Sequence, residues 1–407
     1  MDDVTQKIKL SNKIYPYLSG LSSDLLFFSA INTMILTTVK LFSASQVSLL
    51  SALSILVVIL SQNIVLKIIK KIGNVKSVRL GLIMLFLSAI IITFGTSFIT
   101  IAIGEILYNM SFLFKGMDSV ILKRNLKYLN EEDSFIEIQS KSSMIYAIAT
   151  MIISLIVGFI FNINNSLPMI ICSIICFINI ILSSCLYETE IQEEIISKNT
   201  GKFKWTKILF LIVVLYGLLY GTLETAQENG KLFIQYTLQD FLSMNKTAIY
   251  LSIIIALSRI SRVLSNIFFS RIYRKIKNKF IIILNINLII AIFLLIVGNL
   301  ISLEIVGILI MGLGFCMLLW SRDPIMNVLK NELLNNCCIE NQQTVMLKFN
   351  LSRKIVRCIL ATLVSFILLK VEMIYIIVIL LIFYIVYIIF VIKLYTLLNN
   401  KDNVLNY

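Results

Sequence analysis

The chain contains no histidine. That absence removes His-based dyads and triads, the His-Glu-x-x-His zinc site and the acyltransferase histidine from the chemistry open to it. There is no Walker-type loop to cradle a nucleotide phosphate and no Thr-Val-Gly-Tyr-Gly filter. No enzymatic activity, cofactor or metal site is expected. Charge is also scarce: Lys, Arg, Asp and Glu make up 14% of the residues and hydrophobic types 58%. Soluble domains carry about a quarter charged residues. A water-soluble chain of 407 residues could not hide so much apolar surface, and the mean hydropathy is +0.93. Disulfides are not expected. The seven cysteines (Cys172, Cys176, Cys185, Cys316, Cys337, Cys338 and Cys358) fall mostly within apolar runs or on the side read as cytoplasmic. Cys172 and Cys176, four apart on one helix face, read as small apolar packing.

What is present is a series of long apolar blocks. Leu80–Ile103 and Met373–Ile392 carry no charge at all. Each is long enough to cross a hydrocarbon core of about 30 Å as a helix. Strict apolar–polar alternation is lacking, which excludes an outer-membrane barrel. About twelve spans follow, near 17–39, 46–69, 78–97, 98–122, 141–161, 166–187, 207–227, 246–270, 280–298, 303–321, 344–369 and 373–395. The run 17–39 is too long for a signal-peptide core and reads as a retained span.

The net charge of +14 invites a nucleic-acid reading, which the placement of the charge excludes. Basic residues sit in the short segments between blocks. Of the 36 Lys and Arg, only Lys40, Lys231, Lys246 and Lys370 fall on one side, and Lys115, Arg259 and Arg262 fall within spans. All others lie on the opposite side, together with both termini. By the positive-inside rule that side is cytoplasmic, and the number of spans is even. The expected location is the cell membrane, multi-pass, with both termini cytoplasmic.

The chain repeats itself at an offset near 204. Ala52-Leu53-Ser54 falls on Ala256-Leu257-Ser258, Ser61-Gln62 on Ser265-Asn266, and the basic run from Lys67 to Asn74 on that from Arg271 to Asn278. Asp118 matches Asp323 at an offset of 205. An even number of spans separates the copies, so the halves are parallel, one known transporter architecture. The expected division is a six-helix half over 1–187, a cytoplasmic linker over 188–206 and a second six-helix half over 207–407.

With six plus six spans, a cytoplasmic middle linker and a basic turn repeated in each half, the chain resembles the major facilitator superfamily over nearly its whole length. That family's signature, Gly-x-x-x-Asp-Arg-x-Gly followed by two basic residues, falls on Leu66 to Val75. Lys71 stands at the Arg position and Gly73 at the second Gly. Leu66 replaces the first Gly and Lys70 the Asp, while Arg274, followed by Lys275, replaces the Asp in the second half. Glu105 lies where the family's fourth-span motif begins with Arg, and the antiporter motif of span five is absent. The resemblance implies an all-α membrane protein of two six-helix parallel repeats. It also implies gating at the inner turns and a cavity lined by spans one, four, seven and ten.

Charges inside spans are the candidate site residues, because each costs at least ~2.5–3.5 kcal/mol near the bilayer centre. Asp24 lies in span one with Phe28 and Asn32 along its face; it reads as a helix–helix contact or a cavity group. Gly217, Gly221, Glu224 and Glu228 share a face of span seven, where two glycines admit a close neighbour and two carboxylates suit a proton carrier. Glu228, followed by Asn229, Gly230 and Lys231, reads better as an interfacial residue than as a proton carrier. Arg259 and Arg262 lie on span eight with Asn266 continuing their face; their counterparts in span two are Ile55 and Val58. The fold therefore does not require them. They read as buried partners of Glu224 or Asp24, as grips for an anionic group, or both. Lys115 and Asp118 are spaced for an intrahelical pair. Pro324 reads as the opening of a short helix. Arg353 and Arg357 are placed to meet Asp118 or Asp323. With Lys70, Lys71, Gly73, Arg274 and Lys275 these form the expected gating set.

The leading expectation is a proton-coupled secondary transporter, monomeric in the lipid bilayer, exporting a small molecule. Uptake of a small anionic solute and a non-transporting scaffold or sensor are the alternatives.

Overall fold

The computed structural model describes residues 3–42, 44–189, 205–239, 244–276, 279–301, 304–338, 341–368 and 374–405; the expected linker lies almost entirely outside them. The described residues are helical and contain no strand. The first half comprises α1 (Asp3–Leu21), α2 (Leu26–Met34), α3 (Ala44–Ile72), α4 (Asn74–Phe94), α5 (Phe98–Lys115), α6 (Asp118–Tyr128), α7 (Phe135–Ile163) and α8 (Leu167–Leu182). The second comprises α9 (Lys207–Gln239), α10 (Met244–Ile276), α11 (Lys279–Leu300), α12 (Glu304–Asn335), α13 (Gln342–Leu368) and α14 (Ile374–Leu405). With α1–α2 and α5–α6 each making one interrupted span, the described residues form an all-α membrane protein of twelve spans in two parallel six-helix repeats. Seven segments of the described residues are long and apolar enough to cross a membrane by length and composition alone. The surface is correspondingly apolar, with Leu60, Phe94 and Ile163 largely exposed toward lipid.

The repeat is visible in the packing. In the first half α4 lies along α5, and in the second α11 lies along α12. The halves meet through two related pairs, α3 on α13 and α10 on α7. The end bearing Lys70 and Lys71 is called the basic end below.

Two interruptions differ from the expected spans. The helix of the first span starts at Asp3, ahead of the expected apolar run, and breaks between Leu21 and Leu26. The local sequence Ser22-Ser23-Asp24 explains the break. Ser22 and Ser23 donate their hydroxyls back to the Leu18 and Ser19 carbonyls, both at 2.6 Å, and Asp24 Oδ1 accepts the Leu25 N–H at 2.8 Å. Such side-chain bonds compete with the helical ladder. Conversely, Pro324 does not open a new helix; α12 runs through it to Asn335. Proline removes the N–H that would bond the Trp320 carbonyl one turn back. Ser265 of α10 donates to that carbonyl, and Ser261 donates to Cys316 O at 2.7 Å. The neighbouring helix thus satisfies the backbone group the proline leaves open, as a lipid environment demands.

The glycines of span seven have the close neighbour their spacing implies. A Cβ at Gly217 would lie 2.9 Å from Ser352, and one at Gly221 2.7 Å from Val356, so α13 seats directly on the α9 backbone. Gly221→Leu is expected to push the two helices apart at a cost of about 1–3 kcal/mol, lowering the unfolding midpoint of the purified protein. The same change at Gly312, where nothing lies within 4 Å, leaves it unchanged.

Candidate functional site

The break in span one presents Asp24 to the middle of the bundle. Tyr108 of α5 donates its hydroxyl to Asp24 Oδ1, and Tyr146 of α7 donates to Oδ2 at 3.2 Å. No Lys or Arg among the described residues forms an ion pair with it. The ring of Tyr146 faces the other half, with the guanidinium of Arg262 4.5 Å from its centroid and that of Arg259 at 5.9 Å. One tyrosine thereby joins an acid of the first half to two cations of the second, through its hydroxyl and its π-face respectively.

The two α10 arginines have different surroundings. Arg262 grips Asp323 of α12 with both arms, Nε to Oδ2 at 2.5 Å and Nη2 to Oδ1 at 2.6 Å, and Asn266 adds a bond to Oδ2 at 2.9 Å. Asp323 is fully buried. A bidentate, additionally hydrogen-bonded pair is the arrangement in which a buried salt bridge can offset its desolvation. Arg259 has no such partner: its Nε and Nη1 are buried with no hydrogen bond. The corresponding Ile55 and Val58 of α3 are also buried.

Glu224 of α9 lies between two arginines of α13, Arg353 Nη1 at 3.4 Å and Arg357 Nη1 at 3.6 Å. Arg322 of α12 donates to Gln227 at 2.7 Å and lies over the Tyr220 ring at 5.1 Å. Lys354 of α13 crosses to the first half and donates to both the backbone and side-chain oxygens of Asn109, at 2.9 and 2.8 Å.

These groups surround adjoining compartments between the halves. The larger, about 250 Å³, is lined by Asp24, Phe28, Asn32, Glu105, Tyr146, Glu224, Arg259, Arg322 and Arg357, among others. A second of about 150 Å³ shares Asp24, Tyr108, Asn109, Tyr146, Glu224, Arg322 and Arg357 with it and adds Arg262, Arg353 and Lys354. Toward the basic end, cross-half bonds close the space below: Lys348 to Gln62 at 2.8 Å, Gln343 to Asn74 at 2.9 Å, and Asn327 to Ser140 at 3.3 Å.

Several expected partnerships do not form. Lys115 and Asp118 do not pair with each other. Lys115 donates to the Ser19 carbonyl at 3.2 Å, and Asp118 accepts the hydroxyls of Ser19 at 2.8 Å and Ser119 at 3.0 Å. Gly116 and Met117 separate α5 from α6, and α1 fills the gap between the two charges. Arg353 and Arg357 meet Glu224 rather than Asp118 or Asp323, because Asp323 is already saturated by Arg262 and Asn266. Lys70 and Lys71 are exposed at the end of α3, and Gly73, at φ +83°, makes the turn into α4. That left-handed conformation favours glycine. The firm contact near this turn comes from residues the sequence did not single out: Glu188 accepts from Asn74 at 2.5 Å and from Arg124 at 2.8 Å. The side chains of Glu228, Arg274 and Lys275 lie outside the described residues. Tyr108, Tyr146, Asn109 and Lys354 also went unread, as polar residues in spans with no charge pattern to mark them, apart from Lys354 beside Arg353.

No protein-family profile matches the sequence, and no curated protein matches it. Solved structures do. The crystal structure of a bacterial homologue of the iron transporter ferroportin, in an outward-facing state, is 11% identical with a TM-score of 0.71, covering 97% of this chain and 100% of that one. The nucleoside transporter NupG is 12% identical with a TM-score of 0.59, covering 97% and 98%. At these identities the likeness establishes a fold of the major facilitator type.

Removing one member of the Arg262–Asp323 pair strands the other charge. Asp323→Ala is expected to cost about 3–5 kcal/mol, seen as a lower unfolding midpoint in detergent. Replacing both by Met and Leu recovers most of that loss. Equal midpoints for Asp323→Ala and the parent would remove the pair from the structural account.

Proposed function

We propose that the chain is a secondary active transporter that carries a small molecule by alternating access, with protons as the coupling ion. The observation that carries this reading is the convergence of costly buried charges from both halves on one cavity at their junction. A scaffold would gain nothing from such an arrangement. The positive-inside pattern supports placing the basic end in the cytoplasm. On that orientation the cross-half bonds of Gln62, Asn74 and Ser140 close the cytoplasmic side, and rocking the halves about the cavity would open it.

Export was the expectation from the family resemblance. The charge of the cavity supports the solute class of the other reading weighed, a small anion. Arg259, Arg262, Arg322, Arg353, Lys354 and Arg357 line the cavity against Asp24, Glu105 and Glu224, and Asp323 neutralises only Arg262. Glu224 supports a coupling mechanism. With the site empty, it occupies Arg353 and Arg357. An incoming anion competes for those arginines, and the displaced carboxylate takes a proton, so solute and proton travel together. A membrane potential of 100 mV contributes ~2.3 kcal/mol for each charge that crosses.

Glu224→Gln removes the proton carrier and leaves the arginines. In proteoliposomes supplied with a panel of small carboxylates and phosphates, this variant is expected to lose accumulation driven by an imposed pH gradient while keeping downhill exchange. Wild-type accumulation by Glu224→Gln would exclude Glu224 as the coupling group, and the direction of net flux separates uptake from export.

A further inference from the structure

Span eight carries two buried arginines three residues apart, and only one is used by the fold. Arg262 gives Nε and Nη2 to the two oxygens of Asp323, and Asn266 donates to the same carboxylate. Arg259 is 6% exposed, and its Nε and Nη1 have no hydrogen-bond partner. The contact recorded for its guanidinium is the face of the Tyr146 ring, at 5.9 Å. A buried guanidinium with unfilled donors is costly, and the sister helix does without it, since Ile55 occupies the equivalent buried position. The side chain also lines the larger compartment, about 250 Å³, together with Arg322, whose own Nε is unfilled. Unfilled donors at the wall of such a compartment suit a small polar solute.

We propose that Arg259 is the anchor for the anionic group of the carried solute, a carboxylate or a phosphate, held in the fork of Arg259 with Arg322 alongside. The planar guanidinium matches either group in bidentate geometry, which a lysine at this place would not. The proposal deepens the transporter reading and relies on it for access to the cavity. The solute completes the pairing that Asp323 supplies to Arg262. Because Arg259 belongs to the second half and Asp24, across Tyr146, to the first, a solute on Arg259 lies where the two halves meet.

The test uses the purified full chain in nanodiscs of phosphatidylcholine, with inorganic phosphate and succinate as probes and choline as the cationic control. Binding is read by the unfolding midpoint and by titration calorimetry. At least one anion is expected to raise the wild-type midpoint saturably, with no effect of choline. Arg259→Gln should weaken that binding at least tenfold and Arg259→Lys by less, while Arg271→Gln, at an exposed position, binds as wild type. Without ligand, Arg259→Gln should unfold at a higher midpoint than wild type, since it removes an unpaired buried charge; a purely structural arginine would give a lower one. The proposal is overturned if neither anion binds the wild type, if Arg259→Gln binds as well as wild type, or if only added phosphatidylglycerol stabilises, which would assign the fork to a lipid headgroup. Counterflow of labelled phosphate and succinate separates the two readings. Arg259-dependent binding without wild-type counterflow sinks transport and keeps the site. Equal counterflow in Arg259→Gln sinks the site and keeps transport.

Discussion

A charge cannot rest against hydrocarbon, and the organisation of this molecule follows from that constraint. Asp24, Glu105, Glu224, Arg259, Arg262 and Arg322 are all turned toward the junction of the halves. The junction is therefore polar while the outer surface is apolar, and the polar seam leaves a cavity because large cationic side chains from α10, α12 and α13 approach it from one half and a single broken helix and two tyrosines from the other. Tyr146 ties the seam together, with its hydroxyl on Asp24 and its face under Arg262.

The same constraint shapes the backbone. Where Pro324 leaves a carbonyl open, α10 supplies a serine hydroxyl; where Ser22, Ser23 and Asp24 break the first span, the break faces the cavity. Irregular backbone in a membrane is tolerated where it lines protein or a water-filled space. The fixed pair Arg262–Asp323 and the adaptable trio Glu224, Arg353 and Arg357 divide the work. The first is short, bidentate and fully buried, and belongs to the scaffold. The second is longer and partly exposed.

The architecture was legible in the sequence because it rests on composition and on the placement of Lys and Arg, both of which survive without knowledge of helix rotation. The offset near 204 also marked positions 259 and 262 as departures from their apolar counterparts, Ile55 and Val58. Their partners were not legible. Which acid meets Arg262 depends on how α10 and α12 turn about their axes, and Asp323 lies 61 residues away in sequence. The two arginines around Glu224 sit on α13, packed against α9 by Gly217 and Gly221; the glycines announced a close neighbour without saying which helix. The break at Asp24 was hidden inside an apolar run, and Tyr108 and Tyr146 were two among 16 tyrosines.

Alternating access makes one demand that the other readings do not: the two ends of the junction must open and close in opposite senses. On the pair α3–α13, spin labels at Gln62 and Lys348 report the basic end, where the side chains now touch at 2.8 Å. Labels at the exposed Leu49 and Leu363 report the other end of the same pair. Pulsed electron resonance distances, measured in nanodiscs as the pH is lowered and as an anion panel is added, are predicted to show two populations. The first pair lengthens as the second shortens. A single short distance at the basic end under every condition, or distances that change together at both ends, would contradict the account.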